Sequence, residues 1–313
     1  SNADGTAVAG ADFGVNGNPA PVFGTLNWAA GDAASKTLTI PILDDAIVES
    51  AEVFFVGLGS PVGATIGAQA SVAVTLFDDE GEIDAPATAD HAARLVDAGV
   101  SAIVVAGTTG EAATLDAEER SDLLLAVRSA ADGRVPVLAG TGAPSTRQAV
   151  LLSKRASDDG ADGLLVLSPP GVTDPRPYYE RVTAAVDVPV LAYHFPAVSS
   201  PGVPVDVLRQ LPVAGLKDSS GDAERLILEA DELASGLYAG SPALIHLAGA
   251  IGCSGTILAL ANIDPEGCRR AWAGDGAVQR ELINGHRAQS LAGIGGLKRA
   301  LCALHGTSPV TRV

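Results

Sequence analysis

Apolar residues follow two different rhythms along this chain, and the change between them falls near residue 80. Before it, short stretches at 22–28, 36–43 and 52–58 carry β-branched or aromatic residues, in places alternating with small or polar ones. Gly31-Asp32, Asp44-Asp45 and Gly59-Ser60-Pro61 punctuate them. Short strands divided by such turn signals predict an antiparallel sandwich.

From about residue 82, helical and strand-like stretches alternate. Residues 86–98 predict a helix, with Pro86 near its start and Gly99 just past its end. Helices near 117–131 and 146–157 separate apolar runs at 102–105, 135–138 and 163–167. Further runs follow at 188–192, 213–216, 236–239 and 255–258. Brief, continuous apolar runs between helices are what a parallel sheet buried on both faces requires. These are seven strands, and a closed (β/α)8 barrel needs eight.

The 313 residues, 47% of them hydrophobic, are enough for a substantial core in one large domain or two unequal ones. No uninterrupted apolar run reaches the ~18 residues of a membrane-spanning helix. A net charge of -17 argues against nucleic acid as a partner, since little here would replace phosphate counterions. Cys253, Cys268 and Cys302 form no close pair and read as free thiols. The five histidines show no zinc-ligand spacing, and there is no phosphate loop or dinucleotide fingerprint.

Among Lys36, Lys154, Lys217 and Lys298, only Lys217 closes an apolar run, at the C-terminal end of a strand where barrel active sites lie. A Schiff base needs a lysine that is neutral part of the time, and burial lowers the amine's pKa. On these grounds alone, a lysine snorkelling from a strand end to solvent is an equal reading. Tyr193 ends the preceding strand and is placed to move protons, or simply to pack at the rim. Thr108, Thr109 and the N–H groups of their glycine-flanked turn suit a carboxylate, or the threonines cap the next segment.

Five stretches occur in a telling order. They are Gly107-Thr108-Thr109-Gly110-Glu111, with Ala112-Ala113-Thr114-Leu115 and Glu118-Glu119-Arg120 behind it; Ala139-Gly140-Thr141-Gly142-Ala143; Tyr193-His194-Phe195-Pro196; Gly215-Leu216-Lys217-Asp218-Ser219-Ser220-Gly221-Asp222; and, more weakly, 255–262. Together, over roughly residues 74–311, they resemble the dihydrodipicolinate synthase and N-acetylneuraminate lyase family. The resemblance implies an α/β (β/α)8 TIM barrel and a class I aldolase-type lyase. It assigns Lys217 as the Schiff-base lysine and Tyr193 as proton shuttle. It places substrate at Thr108, Thr109, Gly110, Ser219, Gly240 and Ile257, with no external cofactor. It also brings the expectation of a homo-oligomer.

Departures from the family narrow the substrate. Ser168-Pro169-Pro170-Gly171-Val172 lacks the tyrosine that dihydrodipicolinate synthases send into a neighbouring subunit, and Ala197-Val198-Ser199 lacks their carboxylate-anchoring arginine. Gly240-Ser241-Pro242-Ala243 lacks the acidic residues with which sialic-acid lyases bind sugar hydroxyls, and Leu258 makes the rim apolar. The expected substrate is a small 2-oxo acid such as pyruvate with a modest acceptor, in aldol cleavage, addition or dehydration.

The N-terminal stretch resembles a Calx-beta domain lacking its opening strands. Gly10-Ala11-Asp12-Phe13, Gly24-Thr25-Leu26, Ile40-Pro41-Ile42-Leu43-Asp44-Asp45, Glu49, Glu52 and the segment 72–80 carry the likeness. Such domains can bind Ca²⁺ through carboxylates, which makes Asp44, Asp45, Asp78 and Asp79 candidate ligands. Thr75-Leu76-Phe77-Asp78-Asp79-Glu80-Gly81-Glu82-Ile83-Asp84 also resembles the opening of the barrel family, so the chain reads as a fusion in which strand 71–77 is claimed by the barrel. The expected organisation is a partial all-β sandwich over 1–80, with 1–3 the scar of a cleaved tag. A barrel over 81–313 follows, ending before the family's last helix. Free cysteines suit the cytosol, whereas Calx-beta modules often lie outside it. The competing reading is a calcium-dependent structural or adhesion protein with an inert barrel.

Overall fold

The computed structural model describes residues 83–233 and 235–307, together with 2–4, 13, 25–29, 32, 36, 39–41, 52–57 and 71–76. Two compact units divide the chain, Ser1–Glu82 and Ile83–Val313. No helix among the described residues is long and apolar enough to cross a membrane.

The described part of the first unit holds one antiparallel sheet, ordered β1 (Asn2–Asp4), β2 (Glu52–Gly57), β3 (Ser71–Leu76). Asn2 and Ala3 pair with Val56 and Phe55 as an edge strand. Two expectations change here. Residues 25–29 and 39–41, read as parts of strands, carry no strand pairing, and no second sheet of a sandwich is seen among the described residues. The described part of the segment expected in the barrel, 71–76, pairs in the first unit's sheet instead: Val72, Val74 and Leu76 are register partners of Val56, Phe54 and Glu52 in an antiparallel ladder. An alternating segment suits either kind of sheet, and an antiparallel partner needs no helical crossover to reach.

The second unit opens with α1 (Ala85–Asp97), and then strand and helix alternate. They are β4 (Ile103–Val105), α2 (Ala117–Ala131), β5 (Val137–Gly140), α3 (Thr146–Asp158), β6 (Gly163–Leu167), α4 (Arg176–Thr183), β7 (Val190–His194), β8 (Gly215–Asp218), α5 (Ala223–Glu232), β9 (Leu237–Ala239), α6 (Ile245–Ala250) and β10 (Gly255–Thr256). Two helices close the unit, α7 (Pro265–Trp272) and α8 (Gly276–His305), the latter broken at Gly293. Every neighbouring pair of strands from β4 to β10 is parallel, so the seven apolar runs form one seven-stranded sheet in sequence order. The eighth strand expected of a closed barrel is not among the strands of this sheet.

Alternate residues of each strand enter different clusters. Leu164, Val166, Ala192, Leu216, Leu237 and Ala239 pack with Leu124, Val127, Tyr179 and Leu226 of the covering helices. Leu165, Leu191 and Tyr193 form a second cluster with Val104, Leu138, Leu167, Phe195, Tyr238 and Ile257. Burial on both faces explains why these strands read as continuous apolar runs.

Helix starts follow side-chain chemistry. Asp116 accepts from the N–H groups of Glu118 and Glu119 while Glu119 reaches back to the Asp116 N–H, a complete capping box at the head of α2. Replacing Asp116 with Ala is expected to lower stability by about 1 kcal/mol, read as a lower denaturation midpoint at unchanged slope.

Candidate active site

The candidate residues gather at the C-terminal ends of β4, β7, β8 and β9. Tyr193 and Lys217 are register partners on adjacent parallel strands, so strand alternation sends both side chains to the same face. The Lys217 Nζ lies 4.2 Å from the centroid of the Tyr193 ring. Lys217 keeps some surface at the strand mouth, but its amine is enclosed by protein, and removal from water lowers its pKa to about 8. About a tenth of the amine is therefore neutral at pH 7, far more than for an ordinary lysine, and it is the neutral form that attacks a ketone.

Tyr193 is buried, which raises its pKa, while hydrogen bonds to the side chains of Ser219 and Thr108 oppose the rise and the charge of Asp218 adds to it. The phenol thus stays protonated at rest and has two polar neighbours through which a proton can leave. Phe195 stacks on it, centroids 5.9 Å apart and planes at 22°.

Thr108 sits in the turn that also carries Thr109 and Gly110, just beyond β4. Two non-glycine residues in the left-handed region, Ala106 (φ 52) and Glu111 (φ 55), bracket this turn, a conformation held only where surroundings enforce it. One enforcer is Arg120 of α2, which donates to the carbonyls of Gly140, Ala112 and Leu115. Gly140 is another, because a side chain there would lie 2.0 Å from the Ala106 carbonyl oxygen. Buried Glu111 meets Lys298 of α8, with Nζ 2.5 Å from Oε2.

Of the remaining expected site residues, Ser219 reaches Tyr193 and packs against Gly240, where an added Cβ would come within 1.9 Å of the Ser219 Oγ. Ile257 packs with the cluster around Tyr193. Thr109 and Gly110 are placed by the turn they share with Thr108. His194, next in the strand, turns away and is buried behind it. Asp44, Asp45, Asp78 and Asp79, the candidate calcium ligands, lie outside the described residues. Among the described residues, no three His, Cys, Asp or Glu side chains are grouped to hold a metal.

The sequence reading passed over Tyr238, the register partner of Lys217 on its other side. Period-two alternation within 236–239 was the available signal, since it puts Tyr238 on the opposite face from Leu237 and Ala239. With Phe195 and Ile257, it makes the walls beside the amine largely apolar.

A parallel α/β unit with an enclosed amine and a phenol at its strand ends defines an enzyme of the Schiff-base lyase class. Residues 67–288 match the model of the dihydrodipicolinate synthetase family, and the chain belongs to that family. An uncharacterized DapA-like lyase of Halobacterium salinarum is 40% identical over 221 residues, 67% of this chain and 71% of the relative. The 4-hydroxy-tetrahydrodipicolinate synthase of Natronomonas pharaonis is 39% identical over 203 residues, 61% of this chain and 69% of the relative. A crystal structure of the chloride-inhibited dihydrodipicolinate synthase from Acinetobacter baumannii, complexed with pyruvate, is similar with a TM-score of 0.68. It is 28% identical and covers 74% of this chain and 89% of its own.

Proposed function

We propose that this enzyme uses Lys217 to form a Schiff base with a small 2-oxo acid such as pyruvate. The observation that carries the reading is the enclosed Lys217 amine lying against the ring of Tyr193. The neutral amine attacks C2 of the ketone, and the resulting carbinolamine loses its oxygen as water, with the proton for departure supplied by the Tyr193 phenol. The iminium then accepts the electron pair released when a C3 proton leaves or a carbon–carbon bond breaks, giving an enamine. The phenolate takes up the proton and returns it in the reverse or onward step. Thr108, Thr109 and the N–H groups of the turn through Gly110 hold the carboxylate. Ser219, Gly240 and Ile257 complete the substrate's surroundings.

The apolar walls formed by Phe195, Tyr238 and Ile257 favour a modest acceptor over a polyhydroxylated one. No external cofactor enters this scheme. The thiols of Cys253, Cys268 and Cys302 are free, which suits a reducing compartment. The Calx-beta likeness of the first 80 residues rests on their sequence motifs, and no calcium site is assigned to them. No feature of the described residues favours the inert-barrel alternative.

Incubation with pyruvate and borohydride is expected to leave a reduced adduct on the peptide containing Lys217. Because the ammonium form is not a nucleophile, the capture rate should rise as the pH approaches about 8. A Lys217 left unmodified across a panel of 2-oxo acids overturns the reading.

A further inference from the structure

The faces of β7 and β8 turned away from Tyr193 and Lys217 carry buried ionisable side chains that the chemistry above does not use. His194 and Asp218 are register partners one position beyond the reacting pair, and both are buried. Arg225, in the first turn of α5, reaches three segments at once. Its Nη2 donates to the Val203 carbonyl at 2.6 Å and lies 2.7 Å from Glu229 Oε1, and its Nε lies 3.9 Å from Asp218 Oδ1. The Val203 N–H in turn donates to His194 Nδ1 at 2.9 Å. That leaves the ring proton on Nε2, which is 3.9 Å from Asp218 Oδ1. Burial holds the His194 pKa down to about 4, so the ring is neutral. Ser220 completes the group, donating to Asp218 from its N–H at 2.9 Å and its hydroxyl at 2.8 Å.

We propose that Arg225 is a positioning residue for the Schiff-base reaction: by bonding the Val203 carbonyl, contacting Glu229 and attracting Asp218 as a charge behind the sheet, it fixes the ends of β7 and β8 and so the spacing of Tyr193 and Lys217 in front. This rests on the function proposed above. Asp218 is bonded directly to Lys217 along the chain, and His194 to Tyr193, so a shift of either rear side chain's backbone moves a reacting group. Misplacing reacting groups by about 1 Å can cost on the order of 10² in rate. A guanidinium can hold the Val203 carbonyl and the Glu229 carboxyl from one nitrogen while its charge faces Asp218 3.9 Å away, whereas an ammonium is a point charge on a flexible stem. Burying an arginine with two carboxyls is unfavourable unless they are paired, so loss of the bridge leaves charges that pull the strand ends elsewhere.

The bridge is also sensitive to pH. Burial, with the charge of Asp218 next, pushes Glu229 up to about 8. At neutral pH it is mostly protonated, and the Asp218 and Arg225 charges balance. Its ionisation at higher pH adds a second anion competing for Arg225. The groups that face it are Asp218 and Asp222 as anions, Arg225 as the cation, neutral His194 across Asp218, and the Cys253 thiol, whose own pKa Glu229 helps raise.

The test uses the full chain and pyruvate alone, following exchange of its C3 protons for deuterium by NMR, with borohydride capture alongside. In Arg225→Lys, the exchange kcat is expected to fall about tenfold or more while the pyruvate KM and the thermal midpoint stay close to the parent's. An unchanged kcat, or a loss that only follows a loss of folded protein, overturns the proposal. Should Arg225→Lys not fold, Glu229→Gln decides: its exchange activity is expected to extend to higher pH by about half a unit or more. An alkaline limb identical to the parent's overturns the proposal. If the parent chain itself neither exchanges nor is captured, the proposed function has failed instead.

Discussion

Replacing Lys217 with Ala is expected to abolish borohydride capture of pyruvate and to lower C3-proton exchange by at least about 10⁴-fold, the scale on which loss of a nucleophile acts. No other lysine is positioned to substitute for it. Lys36 pairs with Asp32 in the first unit, Lys154 is exposed on α3, and Lys298 is held by Glu111. The loss should therefore be complete at the level of the covalent adduct, read by intact mass. Stability is not expected to fall, because the replacement removes an amine that the fold holds at a desolvation cost. Exchange persisting in a folded Lys217→Ala protein would remove the Schiff base from the mechanism.

The second large effect is expected from Tyr193→Phe, with exchange slowed by roughly 10² to 10⁴. Phenylalanine keeps the ring that stacks on Phe195 and lies beneath the Lys217 amine, so packing and the low polarity around the amine are preserved. What disappears is the hydroxyl with its links to Thr108 and Ser219. The loss should therefore fall on kcat, with pyruvate KM changed little and the adduct still forming, more slowly. Unchanged exchange would return Tyr193 to a packing role.

The strand and helix pattern of the second unit was legible because its signals are local. Seven apolar runs became β4 to β10, and the stretches 117–131 and 146–157 became α2 and α3 with their caps. Lys217 could be singled out because a lysine closing an apolar run is a conflict that hydrophobic pattern alone exposes. Tyr238 was overlooked because an aromatic within an apolar run raises no such conflict. The Arg225 group was illegible for a different reason. Its members are contributed by β7, the segment at 203, β8 and α5, and no spacing rule links them.

The N-terminal expectations fared differently. Segment 71–77 satisfies two strand patterns at once, and a pattern of alternating side chains cannot name its partner. The antiparallel ladder with β2 is a choice between sheets, made by whichever backbone supplies hydrogen bonds at the lower cost in loop closure.

By itself, then, the order of residues placed the seven strands of the second unit to within about two residues, three of its helices, and the amine that is out of place. Those properties depend on neighbours a few positions away. Only the tertiary structure decided which sheet holds 71–76, which side chains stand behind the reacting pair, and how far Lys217 lies from Tyr193. Those are distances between groups remote in sequence, and folding alone brings them within range of hydrogen bonds and charges.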